Sequence, residues 1–379
     1  MSIITLNGDY GEGGGQIVRT ALALAAVTGK PFEINNIRKG RSPPGLKAQH
    51  IHCIKILQQL CSADVEGTEQ GSEYLRFIPG KIEAKEISFD VGTAGSIPLI
   101  LQSIVLPICL AGKKTKVSLK GGTDVKWSMS VDYFRKVILP HYIKLADIEV
   151  KLLGRGYYPA GGGNVEITAR PKIKKKEFSN PEELINILRN FGEINITTHG
   201  KLIKIDGVSH ASLSLENSKV AERQATAAGT QLKKLGCPVN IRSEYSNSAS
   251  TGSGITLWAS FSSDKEGKEI DTIIPVVIGS DILGEKEISS EKIGENAASK
   301  LIEEINSGAP VDKHLADNMI PLLGIFGGRI KTSEITEHCK TNIYTTENFL
   351  DTKFRIEGNE IIAELNNDDV KNKGDNKQY

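Results

Sequence analysis

Residues 8–20 read GDYGEGGGQIVRT, with Gly11, Gly13, Gly14 and Gly15 crowded just ahead of an apolar-periodic run. Glycines strip Cβ atoms from the loop and leave backbone N–H groups free to meet an anion at a helix start. Before the loop, SIITL alternates like a strand; after it, QIVRTALALAAVTG sets Ile17, Ala21, Leu22, Leu24 and Ala25 on one helical stripe. Strand, glycine loop and helix in that order predict an α/β unit carrying half of a phosphate site. The loop is not the dinucleotide fingerprint in its usual context, and no Gly-Lys-Ser/Thr ends it as in a Walker loop. Glu12, inside the loop, is a candidate ligand for a divalent metal, and Arg19, one turn into the helix, can reach the same phosphates. The plainer alternative is a tight turn with Glu12 solvated.

Outward from this segment, a strand (PFEINNI), a helix opened by Pro43, Pro44 and Gly45, and two extended segments complete a β-α-β-α-β-β rhythm. The rhythm returns from Glu86: EISFDV, the turn GTAGS, an apolar helix, TKVSL, the turn GGTD, a helix near Tyr133, and IEVKLLG. It returns again after Asp271, with strand IIPVVIG, helices SEKIGENAASKLIEEI and HLADNMIPLLGIF, and two terminal strands. Three α/β units are expected, repeated as a pattern of elements and not as residue identity. Between the second and third, a segment opening with KIKKK holds an amphipathic helix, LSLENSKVAERQATAAGTQLKKLG, and strands VNIRSEY and GITLWAS, which reads as an inserted small α/β domain. The expected division is 1–180 for the first two units, 181–272 for the insert, 273–366 for the third unit and 367–379 for a flexible tail with almost nothing apolar.

Composition narrows the class. The chain has 379 residues, 47 Lys plus Arg and 46 Asp plus Glu, a formal net charge of +1, so contact with nucleic acid needs a local basic patch. Cys53, Cys61, Cys109, Cys237 and Cys339 are odd in number, far apart and form no C-x-x-C pair, which fits a reducing cytoplasm. The N-terminus has no basic region followed by an apolar one, unlike a signal peptide. The most apolar stretch, from Ile97 to Gly112, is broken by Pro98, Gln102, Ser103 and Pro107 and falls short of a bilayer span. No membrane partner is expected, a cytoplasmic location is, and the oligomeric state is open.

Between residues 30 and 55, Lys30, Arg38, Lys39, Arg41, Lys47 and Lys55 face one acid, Glu33. The core of this patch, IRKGRSPPGLKAQH, begins as loop, because each proline disfavours helical geometry in its predecessor. Arginine on a loop can grip phosphate oxygens bidentately, although any one such arginine reads equally as a solvated charge. In VDKHLADNMIPLLG, His314 sits near a helix start, where the macrodipole favours incoming negative charge and a neutral imidazole can attack phosphorus. Asp317, three residues on, can orient the ring or simply favour the helix terminus, and a purely structural histidine is the alternative. His50 and His52, two apart on a helix, point away from each other and are not a metal pair.

Taken together, GEGGGQIVRT, IRKGRSPPGLKAQH and DKHLADN, with GTAGSIPLILQ, GGTD and GYYPAGGG between them, resemble the RNA 3′-terminal phosphate cyclase family from about Asn7 to Gly327. The resemblance implies an α/β fold: a large domain of three repeated units, each a four-stranded sheet plus two helices and enolpyruvyl-transferase-like, with a small inserted α/β domain. It also implies His314 as nucleophile, Arg19, Arg38 and Arg41 as phosphate-binding arginines, Gln49 as an essential glutamine and Glu12 as metal-associated. Gln102 would contact nucleotide, the backbone of Gly13, Gly14 and Gly15 would line its phosphates, and the adenine pocket would fall near Ser289, at Glu291, Lys292 and Ile293. The implied reaction is ATP-dependent, with Mg²⁺ or Mn²⁺, and turns an RNA 3′-phosphate into a 2′,3′-cyclic phosphate through histidine-AMP and RNA(3′)pp(5′)A. The rival readings are a non-catalytic cyclase-like factor in ribosomal-RNA processing, against which His314 within HLAD argues, an enolpyruvyl transferase, and a plain RNA-binding protein.

Overall fold

A computed structural model of the chain describes residues 2–263, 270–271 and 275–366. Strands β1 (Ile4–Asn7), β2 (Phe32–Asn35), β3 (Asp64–Glu66) and β4 (Leu75–Ile78) form a sheet in the order β1-β2-β4-β3. β1 and β2 are parallel, so a crossover must join them, and helix α1 (Gln16–Thr28) supplies it; α2 (Ala48–Cys61) leads from β2 to β3. Phe32, Ile34, Leu75 and Phe77 all turn inward, as alternation along paired strands requires. α1 is buried along its whole length, packed against α2 and three helices from later in the chain. A helix buried on every side should be apolar all round, and Arg19 is its one charged residue.

A second sheet repeats the pairing: β5 (Glu86–Asp90), β6 (Thr115–Gly121), β7 (Ala146–Gly154) and β8 (Gly163–Pro171) in the order β5-β6-β8-β7. The crossover from β5 to β6 is α3 (Ile97–Cys109), whose first turn is capped by the Ser96 hydroxyl accepting from the Leu99 N–H at 3.2 Å. The helix near Tyr133 is short, α4 (Val131–Tyr133), and widens into a π-turn over Phe134–Ile138. After α5 (Pro181–Arg189) and β9 (Ile194–Ile196) comes a sheet of different order, β11-β10-β12-β13. It comprises β10 (Leu202–Ser212), β11 (Val239–Ser246), β12 (Ser253–Phe261) and β13 (Val276–Leu283), covered by α6 (Val220–Leu232) and α7 (Ser290–Asn306). The last elements are α8 (Lys313–Phe326), β14 (Gly328–Lys331), α9 (Glu337–Phe349), β15 (Thr352–Glu357) and β16 (Glu360–Leu365). β9 pairs parallel with β14 in a sheet ordered β15-β16-β14-β9, the pairing scheme of the first two sheets.

Strand partners correct the sequence reading in two places. Ile194–Ile196 lies in the segment read as the insert, yet pairs with β14, and α5 packs against α1 and α8. The strand VVIG, read as opening the last unit, pairs antiparallel with β12, and α7 lies on α6. Alternation of apolar residues announces a strand but not which strand it joins. The helix over LSLENSKVAERQ also begins late: Leu213–Ser218 is a tight 3₁₀ stretch, Lys219 turns left-handed at φ 51°, and α6 starts at Val220. Pro43, Pro44 and Gly45 stay in the loop ahead of α2. The tail read from residue 367 and the boundary at 272 lie outside the described residues. Among the described residues no helix is long and apolar enough to cross a membrane.

A buried ionic cluster joins the second sheet to the β10–β13 sheet. Arg155, 2% exposed, reaches Asp124 at 3.1 Å, Asp132, and Glu244 of β11, whose carboxylate its Nε meets at 2.9 Å. His210 Nε2 lies 3.3 Å from Asp124, and its Nδ1 is 2.8 Å from the Tyr157 hydroxyl. Removing one partner of such a cluster leaves buried charge uncompensated. Arg155→Leu should therefore lower unfolding stability by about 3–5 kcal/mol, read by urea denaturation; a loss under about 1 kcal/mol would mean that the cluster does not hold the two sheets together.

Candidate active site

α8 begins where it does because of Asp312. The carboxylate is buried, and its Oδ1 accepts from the N–H groups of His314 and Leu315 at 3.0 Å each, which is N-cap geometry. The same oxygen takes the Tyr133 hydroxyl at 2.6 Å, and Oδ2 takes the Gly279 N–H at 3.0 Å. His314 then stands in the first turn with its side chain exposed. His338, Asp281 and Glu334 lie within its electrostatic reach.

The glycine loop ahead of α1 is tied to α9. Tyr10 stacks on Tyr344 with ring centroids 4.0 Å apart, and the Tyr344 hydroxyl accepts from the Asn7 N–H at 3.1 Å. That brings His338, in the first turn of α9, to Glu12: Nδ1 lies 2.6 Å from Oε1. Arg41 meets the other carboxylate oxygen at 3.3 Å and donates from Nε to the Glu12 carbonyl at 3.1 Å. Burial pushes the His338 imidazole down, against the pull of Glu12. Gly11 and Gly13 have φ of 64° and 59°, a region that penalises any Cβ, and a Cβ on Gly14 would come within 2.8 Å of Glu12 Oε1.

Arg19 reaches this region from inside. It is 7% exposed, burial lowers its pKa, and Glu12 acts in the opposite direction. One Nη donates to Gln16 Oε1, while Nε has no partner among the described residues. Arg19, Gln102, Asp317 and Asn318 share a cavity of about 30 Å³ between α1, α3, α8 and α9. Gln102 donates to Asn318 Oδ1 at 2.6 Å, Asn318 donates to the His314 carbonyl at 2.7 Å, and Gln102 Oε1 is buried without a partner among the described residues. A glutamine on α3 is thus two hydrogen bonds from the backbone of His314.

The other expected site residues divide. Gln49 is half-buried at the start of α2, and its neighbour His50 is buried against Gly15. Arg38, 7% exposed, donates to the Pro43 and Gly45 carbonyls at 3.1 and 3.0 Å, so its guanidinium braces its own loop. Asp317 does not turn to the His314 ring; it accepts from the Thr336 hydroxyl. Glu291 is held by Arg223 of α6 at 2.7 and 2.8 Å, Lys292 lies 3.5 Å from Glu295, and Ile293 is closed into the core at 2% exposure. The Ile293 side chain thus belongs to the core, and Glu291 serves the contact between α6 and α7.

Among the described residues no group of three His, Cys, Asp or Glu side chains is placed to hold a metal ion. A lone carboxylate between Arg41 and His338 does not fit a self-sufficient cation site. It fits the kind of Mg²⁺ position that one carboxylate begins and substrate phosphates complete. Sequence reasoning missed His338, Asn318 and the cap Asp312. Nothing local marks His338, which lies more than three hundred positions from Glu12; the S/T/D/N cap pattern does mark Asp312.

The architecture and the clustered cations are those of an α/β protein built to meet an anion. The model of the family RNA 3′-terminal phosphate cyclase matches residues 10–356. The chain is 42% identical over 357 residues to the RNA 3′-terminal phosphate cyclase of Pyrococcus abyssi, covering 94% of this chain and 96% of that one. It is 41% identical over 374 residues to that of Methanosarcina acetivorans (97% and 100%) and 38% identical over 364 residues to that of Archaeoglobus fulgidus (95% and 99%). The chain belongs to the RNA 3′-terminal phosphate cyclase family and is an enzyme.

Burial raises the Asp317 pKa to about 7, with Asp312 and Glu12 adding to the rise. The folded protein then keeps a proton that the unfolded chain releases near pH 3.9, so stability falls as pH rises from about 4 to about 7. Asp317→Asn should remove this slope and be the more stable form at pH 8 by up to about 4 kcal/mol, with the difference gone near pH 4. Urea unfolding of both proteins across pH 4–8 reads it; parallel curves would show that Asp317 is already ionised.

Proposed function

We propose that the chain uses ATP to convert an RNA 3′-terminal phosphate into a 2′,3′-cyclic phosphate, through adenylate carried on His314. The observation that carries this reading is an exposed imidazole in the first turn of α8, beside a cluster in which Glu12, Arg41 and His338 meet the α1 glycine loop. A ring nitrogen of His314 attacks the α-phosphorus of ATP; the new P–N bond forms as the bond to pyrophosphate breaks. An oxygen of the RNA 3′-phosphate then attacks the same phosphorus, and the imidazole leaves, giving RNA(3′)pp(5′)A. The neighbouring ribose 2′-OH attacks the 3′-phosphorus, loses its proton and expels AMP.

Each step moves a phosphoryl group, so the protein's work is positioning and charge neutralisation. Arg19 and Arg41 reach the site from α1 and from the loop before α2, and the bracing of that loop by Arg38 presets Arg41. Gln102, through Asn318, supports the first turn of α8 and faces nucleotide. Gln49 and the N–H groups of Gly13, Gly14 and Gly15 line the phosphate side. Mg²⁺ or Mn²⁺, when bound, would withdraw charge from phosphate oxygens, and Glu12 is the residue that would hold it.

The same reading divides the chain into three repeated α/β units plus a small domain inserted within the third, between β9 and α8. The common pairing scheme of three sheets and the different order of the fourth support it. On sheet membership the insert runs from about 202 to about 306, rather than from 181 to 272. A cytoplasmic location agrees with five unpaired cysteines.

Labelled ATP tests the chemistry. Wild type should form an acid-labile, alkali-stable AMP adduct and His314→Ala none; an adduct that survives the substitution places the nucleophile elsewhere. Arg41→Ala should cut cyclisation by about 10²-fold or more with little change in melting temperature, since the side chain is exposed. A matching fall in stability would make Arg41 structural.

A further inference from the structure

His50 is buried, 1% exposed, at the start of α2. Its Nδ1 accepts the Lys47 N–H at 3.0 Å. Burial and the neighbouring cations Arg19, Arg38 and Lys47 hold its pKa well below the ordinary value, so the ring is neutral and its one hydrogen sits on Nε2. That nitrogen has no hydrogen-bond partner among the described residues. A buried N–H without an acceptor is costly, so its persistence asks for a reason.

The direction of the ring supplies one. A Cβ on Gly15 would fall 1.9 Å from Nε2, with Cε1 and Cδ2 at 2.7 and 2.9 Å to either side, so the ring meets the N-cap position of α1 edge-on, nitrogen foremost. α1 is thirteen residues long, and its N-cap residue, Gly15, has no side chain to cap it. Arg19, one turn into the helix, is also buried and also holds a partnerless donor, Nε. Free donors from a helix terminus, an imidazole and a guanidinium thus meet with no acceptor among them. Glu12, the carboxylate that acts on Arg19, is itself met by Arg41 and His338.

We propose that His50 is a phosphate-binding residue, whose Nε2–H donates to an oxygen of a phosphate group seated at the N-terminus of α1 beside Arg19. A phosphate fits because several of its oxygens can accept at once from donors arriving from different directions, and because the helix terminus favours its charge. The role rests on the reaction proposed above, in which the group is a phosphate of ATP or the 3′-phosphate of the RNA. His50 is the acceptor of one N–H and the donor of another, so neither a lysine nor an arginine reproduces it.

Two substitutions separate these functions. His50→Asn keeps an acceptor near the Nδ1 position and removes the far donor, whereas His50→Gln restores an N–H near the Nε2 position. Inorganic phosphate should raise the melting temperature of wild type and of His50→Gln but not of His50→Asn. His50→Asn should also lose roughly ten- to a hundredfold in one of two further assays. Loss of binding to a 3′-phosphate oligoribonucleotide, relative to its 3′-hydroxyl twin, assigns the phosphate to RNA; loss in single-turnover adenylylation by ATP assigns it to the nucleotide. If His50→Asn matches wild type in all three, the proposal falls. Should His50→Asn fail to fold, the imidazole Nε2–H signal of wild-type protein decides by NMR: it moves on titration with inorganic phosphate, or the proposal is wrong. The inorganic phosphate measurements need no catalysis, so they report on His50 even if His314 takes no adenylate.

Discussion

Asp312 is buried with four donors around its carboxylate: the Tyr133 hydroxyl, the Gly279 N–H, and the N–H groups of His314 and Leu315. A carboxylate removed from water must be met by donors nearly completely, and each of these comes at a geometric condition. Gly279 can approach only because it has no side chain, since a Cβ there would fall 2.6 Å from Val137 and 2.7 Å from Tyr133. Three stretches of chain, α4, β13 and α8, are thereby held in one arrangement, and the first turn of α8 presents His314 to solvent as a result. If the cap were lost, the helix start would be free to fray, and the imidazole would lose its position before it lost any contact of its own.

The facing half of the site depends on charge rather than on a cap. Glu12 sits in a loop that its glycines allow to turn left-handed, and its carboxylate is shared between Arg41 and His338. Arg19 adds a second guanidinium from a helix that is otherwise uncharged and buried on every side. A cation placed there is costly in the folded state, and burial does lower its pKa. An anionic partner offsets such a cost, which agrees with donors on Arg19 and His50 that nothing among the described residues satisfies. Stability and binding are in tension at this point, as they are wherever a site is built from buried polar groups awaiting a ligand.

Arg38 and Arg41 show how two neighbouring residues of one loop take different duties. Arg38 turns back on the Pro43 and Gly45 carbonyls and stiffens the loop, while Arg41, exposed, reaches across to Glu12. From sequence both were cationic loop residues with the same expected role. A similar division separates Glu291, taken up by Arg223, from the glycine loop: local composition does not say which partner a charge will find.

The glycine loop, the helix that follows it, the basic loop before α2 and the histidine at the start of α8 were all legible in the sequence, because each rests on local chemistry. Glycine permits positive φ, apolar spacing makes a helical face, and an aspartate two residues ahead of a histidine caps a helix. What sits beside what was not legible. β9 joining β14 and β13 joining β12 depend on which hydrophobic faces cover one another across more than a hundred residues, and His338 reaches Glu12 only once Tyr10 stacks on Tyr344. Periodicity records how a segment folds on itself; hydrogen bonds and packing between segments distant in the chain leave no such local trace, and only the tertiary structure decides them.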